Sequence, residues 1–193
     1  VGVNSYKLKR VDSIVDIALK DEMTPGLQLL IARKGKVIFN KNYGYHTYDK
    51  VNKVKSSDIY DLASLTKILA TLPLIMELRD NGIVTLDSKV GEMLPSYKGS
   101  NKEDIDLKAM LSHYARLRAW IPFYLQTLDS VTTQPSTEYY RKKPSNDFNI
   151  QVTDNLYLRS DMKDSLMLKI RDSELRDRLS YKYSDLPYYL LKA

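Results

Sequence analysis

The sequence predicts an α+β fold: a helical region beside an antiparallel sheet that this chain leaves incomplete. Three observations carry the prediction. The chain opens with an amphipathic helix and one hairpin. Almost everything after them is helical in spacing. A two-stranded hairpin is marginal alone, so further strands are expected to complete its sheet. At 193 residues the chain can hold one domain with a core, or part of a larger one. The expected organisation is a single partial domain over 1–193, with the helix and hairpin in 1–57 and the mainly helical region in 58–193.

The elements follow in order. Val11, Ile14, Val15 and Ala18 recur at helical spacing and predict a helix over 11–21, closed by Pro25-Gly26. Leu27–Ala32 and Val37–Phe39 read as strands, with Lys34-Gly35 as the hairpin turn between them. A polar loop over 45–58 leads to an apolar helix over 64–78, which Pro73 should kink and Asn81-Gly82 should close. Short helices are expected over 85–90 and 104–111. Residues 129–149 read as a long surface loop, and 156–179 as a strand or helix pair. A last helix starts at Asp185-Leu186-Pro187, with Asp185 as its cap. It stops at Ala193, and the chain starts at Val1 without an initiator Met, so a segment of a longer protein is expected.

Composition excludes several classes. No apolar run is long enough for a membrane span, and the first residues do not read as a signal peptide. With no cysteine there are no disulfides or thiolate-held metals. No spacing suggests a metal site, and no glycine-rich phosphate loop occurs, so no cofactor is expected. The net charge of +6 could suit nucleic acid or an anionic polymer. Yet the basic residues are scattered among 24 acids, and the fifteen Tyr lack any aromatic-glycine pattern. A solvated surface with no nucleic-acid partner is the expectation.

Ser64-Leu65-Thr66-Lys67 and Ser160-Asp161-Met162-Lys163 both place Lys three residues after Ser. The second lies in a charged stretch and reads as accident. Ser64 lies where a loop meets an apolar helix, whose unpaired N–H groups and positive dipole favour an oxyanion. Lys67 falls on the same face one turn on. Burial there would lower its pKa and let it accept a proton. Equally, Lys67 could snorkel to solvent while Ser64 caps the helix. Spacing alone does not separate these readings.

Four further stretches do. Leu29–Ile38, Asn81–Val90, Leu107–His113 and Tyr183–Leu191, together with Ser64–Lys67, resemble in order and spacing the serine β-lactamase-like, penicillin-recognising hydrolases, nearest the class C and esterase-like branch. The resemblance implies a β-lactamase/transpeptidase-like fold and acyl-enzyme chemistry on a peptidoglycan-type amide, a β-lactam or an ester. It makes Ser64 the nucleophile, with Lys67 sharing its proton. It makes Tyr183 the relay to the leaving group, its pKa depressed by Lys67. Asp185, Trp120 and Tyr124 become candidate substrate contacts, and the site is expected where the sheet and helical regions join. The resemblance further implies a small-molecule or peptide substrate, a bacterial periplasmic or cell-envelope location, association with peptidoglycan, and a fused glycoside hydrolase domain upstream.

Three departures stand out. The family's Lys- or His-x-Gly strand motif has no counterpart in the chain. Asp185 stands where the family has Asn, and a carboxylate cannot donate to a substrate carbonyl. Arg116 stands where the family has Gly, so the loop is expected to take a different path. His113 reads as a residue that pins this loop, and His46 as an exposed loop residue. The rival reading is a binding or scaffold module that has lost its chemistry.

Overall fold

The computed structural model describes residues 2–193, in two compact units, Val1–Leu62 and Ala63–Ala193. The division falls after Leu62 rather than at 57.

In the first unit, helix α1 spans Ser5–Lys20 and starts earlier than the apolar periodicity does. Its cap is Asn4, whose Oδ1 accepts from the N–H groups of Tyr6 at 2.9 Å and Lys7 at 3.3 Å. Strands β1 (Gly26–Arg33) and β2 (Lys36–Gly44) pair antiparallel from Gly26↔Gly44 to Arg33↔Lys36. Lys34 and Gly35 both take positive φ, 51° and 70°, as a two-residue hairpin turn requires. Asp12 ties α1 to β2, accepting from Lys41 Nζ at 2.8 Å and Tyr43 Oη at 2.7 Å. Burial, with the bond to Asp12, pushes the Tyr43 phenol up to about 12. His46 is the exposed loop residue expected, and its Nε2 meets Asp58 Oδ2 at 2.7 Å.

The second unit departs from the expected single kinked helix over 64–78. A 3₁₀ turn at Ala63–Leu65 runs into a π-helical turn at Lys67–Thr71, and only then into α2 (Leu72–Asp80). Pro73 explains this. It lacks an N–H, and its ring would crowd the carbonyl four residues back. The wider turn relieves that crowding, with the Leu72 N–H reaching Lys67 O, five residues back. Burial of this helix is also not as expected. Ile75 is buried, but Ile68, Leu69, Leu74 and Met76 are exposed.

Helix α3 occupies Val90–Met93, displaced from the expected 85–90 because Thr85 and Ser88 close a turn on each other. Helix α4 (Leu107–Leu111) is capped by Asp106, whose carboxylate accepts from Ala109 N–H at 2.6 Å. The long loop carries short strand β3 (Tyr140–Arg141), which joins β4 (Ile150–Thr153) and β5 (Leu156–Leu158) in a small antiparallel sheet ordered β3-β5-β4. Helices α5 (Met162–Asp172) and α6 (Leu186–Lys192) follow. Val90, Leu107, Met110, Leu117, Ile170 and Leu186 anchor one core, each 2% exposed or less. At about 1.5–3 kcal/mol per fully buried large aliphatic side chain, these residues hold the helices together. The same core admits one lysine: Lys102 is fully buried, its Nζ bonded to Asn101 Oδ1 at 2.7 Å and Arg171 O at 2.9 Å.

The turn after α4 straps the chain just before α6 into place. The Lys182 N–H donates to His113 O at 3.0 Å, and the Asp185 N–H to Ala119 O at 2.8 Å. Between them, Ser184 N–H donates to His113 Nδ1 at 3.2 Å, and Ser184 Oγ to Arg118 O at 2.5 Å. His113 is therefore the pin the sequence suggested. Arg116 does not escape the conformation that a glycine position invites. Arg116 adopts the left-handed conformation itself, at φ 59°. Its own contacts hold it there, with Nε donating to Arg176 O at 2.6 Å and Arg176 N–H donating back to Arg116 O at 2.8 Å.

Two outcomes follow from this strap. Arg116→Gly and Arg116→Ala both lose the side-chain bond to Arg176 O and keep the backbone bond, but only Ala keeps the left-handed strain. The glycine variant should be the more stable of the two by about 1 kcal/mol in chemical denaturation. Burial, and next the charge of Lys67, lower the pKa of His113 below its usual 6.5. Between the lowered value and 6.5 the unfolded chain binds a proton that the folded chain refuses. Stability should thus be complete above that range and fall as pH drops through it. Denaturation midpoints measured across mildly acidic pH should show this slope, and His113→Asn, which still accepts a hydrogen bond, should flatten it.

Candidate active site

Ser64, Lys67, Tyr183 and Asp185 converge within the second unit. Ser64 is presented by the 3₁₀ turn, directly after Ala63, which takes positive φ at 44°. Lys67 opens the π turn, and its Nζ donates to Ser64 Oγ at 2.9 Å. The same Nζ meets Asp185 Oδ1 at 2.7 Å. It also stands 5.1 Å from the Tyr183 ring centre and 5.4 Å from that of Tyr188. The phenol of Tyr183 feels both Ser64 and Lys67, each of which favours its ionised form.

The electrostatics revise the sequence reading of Lys67. Burial works against its ammonium, but its interactions with Asp185, which accepts from it, and with Tyr183 outweigh that. The result is a pKa above the usual lysine value, where burial alone predicted a lower one. Tyr183 moves the other way. The hydrogen bond to Ser64, and then that to Lys67, stabilise its phenolate and lower its pKa below the usual tyrosine value. The two groups are therefore shifted apart: the Lys67 ammonium is favoured and the Tyr183 phenol is made more acidic.

Asp185 stands at the N-cap of α6, but its side chain makes no capping bond. The carboxylate is turned to Lys67, and Ser184 Oγ accepts from Leu186 N–H at 3.2 Å in its place. Trp120 and Tyr124 do not join the cluster. They line a separate, largely apolar cavity of about 350 Å³ with Tyr140 and Leu158. Ser64, Lys67 and Asp185 face an open cavity of about 400 Å³, and Tyr189 lines both cavities. Ser160, of the other Ser-x-x-Lys match, spends its hydroxyl on Asp147 O at 3.0 Å, away from Lys163.

The sequence reading overlooked Tyr188 and Lys192. Tyr188 is three residues after Asp185, on the same helical face, and that spacing could have revealed it. Among the described residues no group of three or more His, Asp or Glu could hold a metal ion, and no helix is long and apolar enough to cross a membrane.

Comparison with known proteins agrees with this geometry. Protein flp of Staphylococcus aureus is 33% identical over 130 residues, which are 65% of this chain and 25% of that protein. A Salmonella gallinarum protein whose name assigns it to the D-alanyl-D-alanine carboxypeptidases is 25% identical over 99% of this chain and 41% of its own length. This chain thus spans well under half the length of either relative. In fold, the class C β-lactamase of Rhodobacter sphaeroides superposes on 93% of the chain with a TM-score of 0.63 at 17% identity, using 41% of its own chain. The β-lactamase/transpeptidase-like fold class is therefore the one the sequence predicted. The β-lactamase family model matches residues 11–151, a stretch that contains Ser64, Lys67 and His113 and ends before Tyr183. With most of its length under that model and its fold shared with a solved member, the chain belongs to the β-lactamase family.

Proposed function

We propose that Ser64 is the nucleophile of an acyl-transfer reaction, with Tyr183 as its proton relay and Lys67 as a fixed cation. The observation that carries this reading is the approach of Lys67 Nζ to Ser64 Oγ at 2.9 Å with the Tyr183 ring centre 5.1 Å from the same Nζ. The Tyr183 phenolate, favoured by Lys67, takes the Ser64 proton as Oγ bonds to the substrate carbonyl carbon. The carbonyl electrons move to oxygen, towards the N–H groups of the helix start. As the tetrahedral adduct collapses, the bond to the leaving group breaks and Tyr183 returns the proton to it. A water activated by Tyr183 then releases the acyl group.

The substrate is proposed to be a peptidoglycan-type amide, a β-lactam or a simple ester. Similarity to a protein named as a D-alanyl-D-alanine carboxypeptidase favours the amide. Action on such a polymer would place the protein at a bacterial cell envelope, where a fused glycoside hydrolase domain would serve the same substrate. The candidate contacts Trp120 and Tyr124 fit an apolar part of the substrate, since their cavity shares Tyr189 with the reaction cavity. A second reading, a binding module without turnover, draws on Asp185 and Arg116 as departures from the family's pattern, since a carboxylate at 185 cannot donate to a substrate carbonyl.

Treating the full-length protein with a fluorescent penicillin or fluorophosphonate should label Ser64, as mapped by mass spectrometry. Ser64→Ala should abolish the label, and Tyr183→Phe should slow labelling by on the order of 10²–10⁴. Undiminished label in Ser64→Ala would overturn the assignment, and labelling without turnover would support the binding module.

A further inference from the structure

We propose that Asp185 is a positioning residue that keeps Lys67 an ammonium ion throughout acylation, so that the Ser64 proton passes to Tyr183 and not to the lysine. The inference rests on the serine acyl-transfer reading but concerns a residue in which this chain departs from its family's pattern. An Asn at this position would offer Lys67 only a neutral carbonyl. Asp185 offers a full negative charge, at 2.7 Å.

Three observations carry it. First, Asp185 gives up the capping bond that its position at the start of α6 invites, and its carboxylate meets Lys67 instead. Second, the Lys67 side chain is largely covered, although it borders the open cavity. Lys67 is 14% exposed at its side chain, with the Tyr183 and Tyr188 rings each within about 5.5 Å. A neutral amine there would leave the Asp185 carboxylate without its counter-ion. Third, the neighbouring groups are poorly placed to accept the Ser64 proton. His113 packs on the Tyr183 ring with centroids 4.5 Å apart, but its Nδ1 already accepts from Ser184 N–H. Tyr188 is pushed the wrong way by burial, which raises its pKa. Lys192, which also lines the cavity, brings a second lysine and no further carboxylate.

The charge arrangement fixes how activity should depend on pH. The acid limb follows ionisation of Tyr183, which the Asp185 charge opposes and Lys67 favours. The alkaline limb follows loss of the Lys67 proton, which Asp185 resists. Removing the carboxylate therefore moves both limbs in one direction, to lower pH. Asp185 also raises the pKa of His113, so its removal would lower that titration too, but His113 acts on the acid side alone and cannot move the alkaline limb. A purely structural role for Asp185 would lower the amplitude of the profile without moving it.

The test uses Asp185→Asn, which keeps the side-chain shape and can still cap a helix, and Asp185→Glu, which keeps the charge. In the full-length protein with ¹³C-labelled lysine, the Lys67 signal, assigned by its loss in Lys67→Arg, should titrate about one pH unit lower in Asp185→Asn. The pH profile of Ser64 labelling by fluorophosphonate should move down by a similar amount, and Asp185→Glu should restore its position. Equal Lys67 titration in wild type and Asp185→Asn would overturn the proposal. Absence of Ser64 labelling in the wild type would instead strike the acyl-transfer reading, while the lysine titration would still decide the role of Asp185.

Discussion

The ammonium of Lys67 is the charge around which the rest of the site is arranged. It touches Ser64, pairs with Asp185 and lies against two tyrosine rings. Burial opposes a cation at this position, so the surroundings must supply compensation. They supply it from far along the chain: Asp185 and Tyr183 flank Ser184, and the strap from His113 to Ala119 holds that short stretch. Without the strap, Lys67 would lose both its counter-ion and its hydrogen-bonding phenol. The backbone bonds to His113 O and Ala119 O are thus part of the electrostatics, although neither residue bears a charge near Ser64.

Three of the eight non-glycine residues with positive φ among the described residues lie beside Ser64 or in the strap. Ala63, His113 and Arg116 all adopt positive φ, at 44°, 61° and 59°. Each L-residue in this region carries a cost, and such residues persist where their surroundings over-determine them. For Arg116 the over-determination is visible in the reciprocal bonds with Arg176. For His113 it is the donation of Lys182 N–H to its carbonyl and of Ser184 N–H to its ring. Strain on one side of the site and hydrogen bonding on the other fix where Tyr183 can stand relative to Ser64. The π turn adds to this, since it sets the angle at which Lys67 leaves the helix.

Local chemistry was legible in the sequence where local rules decide the outcome. Lys34-Gly35 marked the hairpin turn, the apolar spacing from Val11 marked α1, and the Ser64–Lys67 spacing put both side chains on one face. What local rules do not contain was missed. Pro73 signalled a disturbed helix but not that the disturbance would be a π turn lying upstream of it. The pKa of Lys67 was misjudged in direction, because burial is legible from an apolar run whereas a counter-ion from another helix is not. Arg116 was misjudged because a glycine position implies a conformation, and the sequence does not say whether a replacement will abandon that conformation or be held in it. Tyr183 and Asp185 were found only as parts of an ordered set of stretches, since nothing in their immediate surroundings distinguishes them from other tyrosines and acids.

Asp185 shows how such a conflict between levels is resolved. Helix rules assign an aspartate before Leu186-Pro187 to capping, and the backbone places it at the cap position. Electrostatics assigns the same carboxylate to the buried ammonium, and one side chain is not doing both. Ser184 removes the conflict: its hydroxyl accepts from Leu186 N–H while donating to Arg118 O, so the helix start keeps a side-chain acceptor and the strap gains a bond. Ser184 is 2% exposed, which strengthens both bonds by excluding competing water. A serine between Tyr183 and Asp185 therefore frees the acid for the lysine, and the three consecutive residues divide the proposed proton relay, helix capping and charge compensation among themselves.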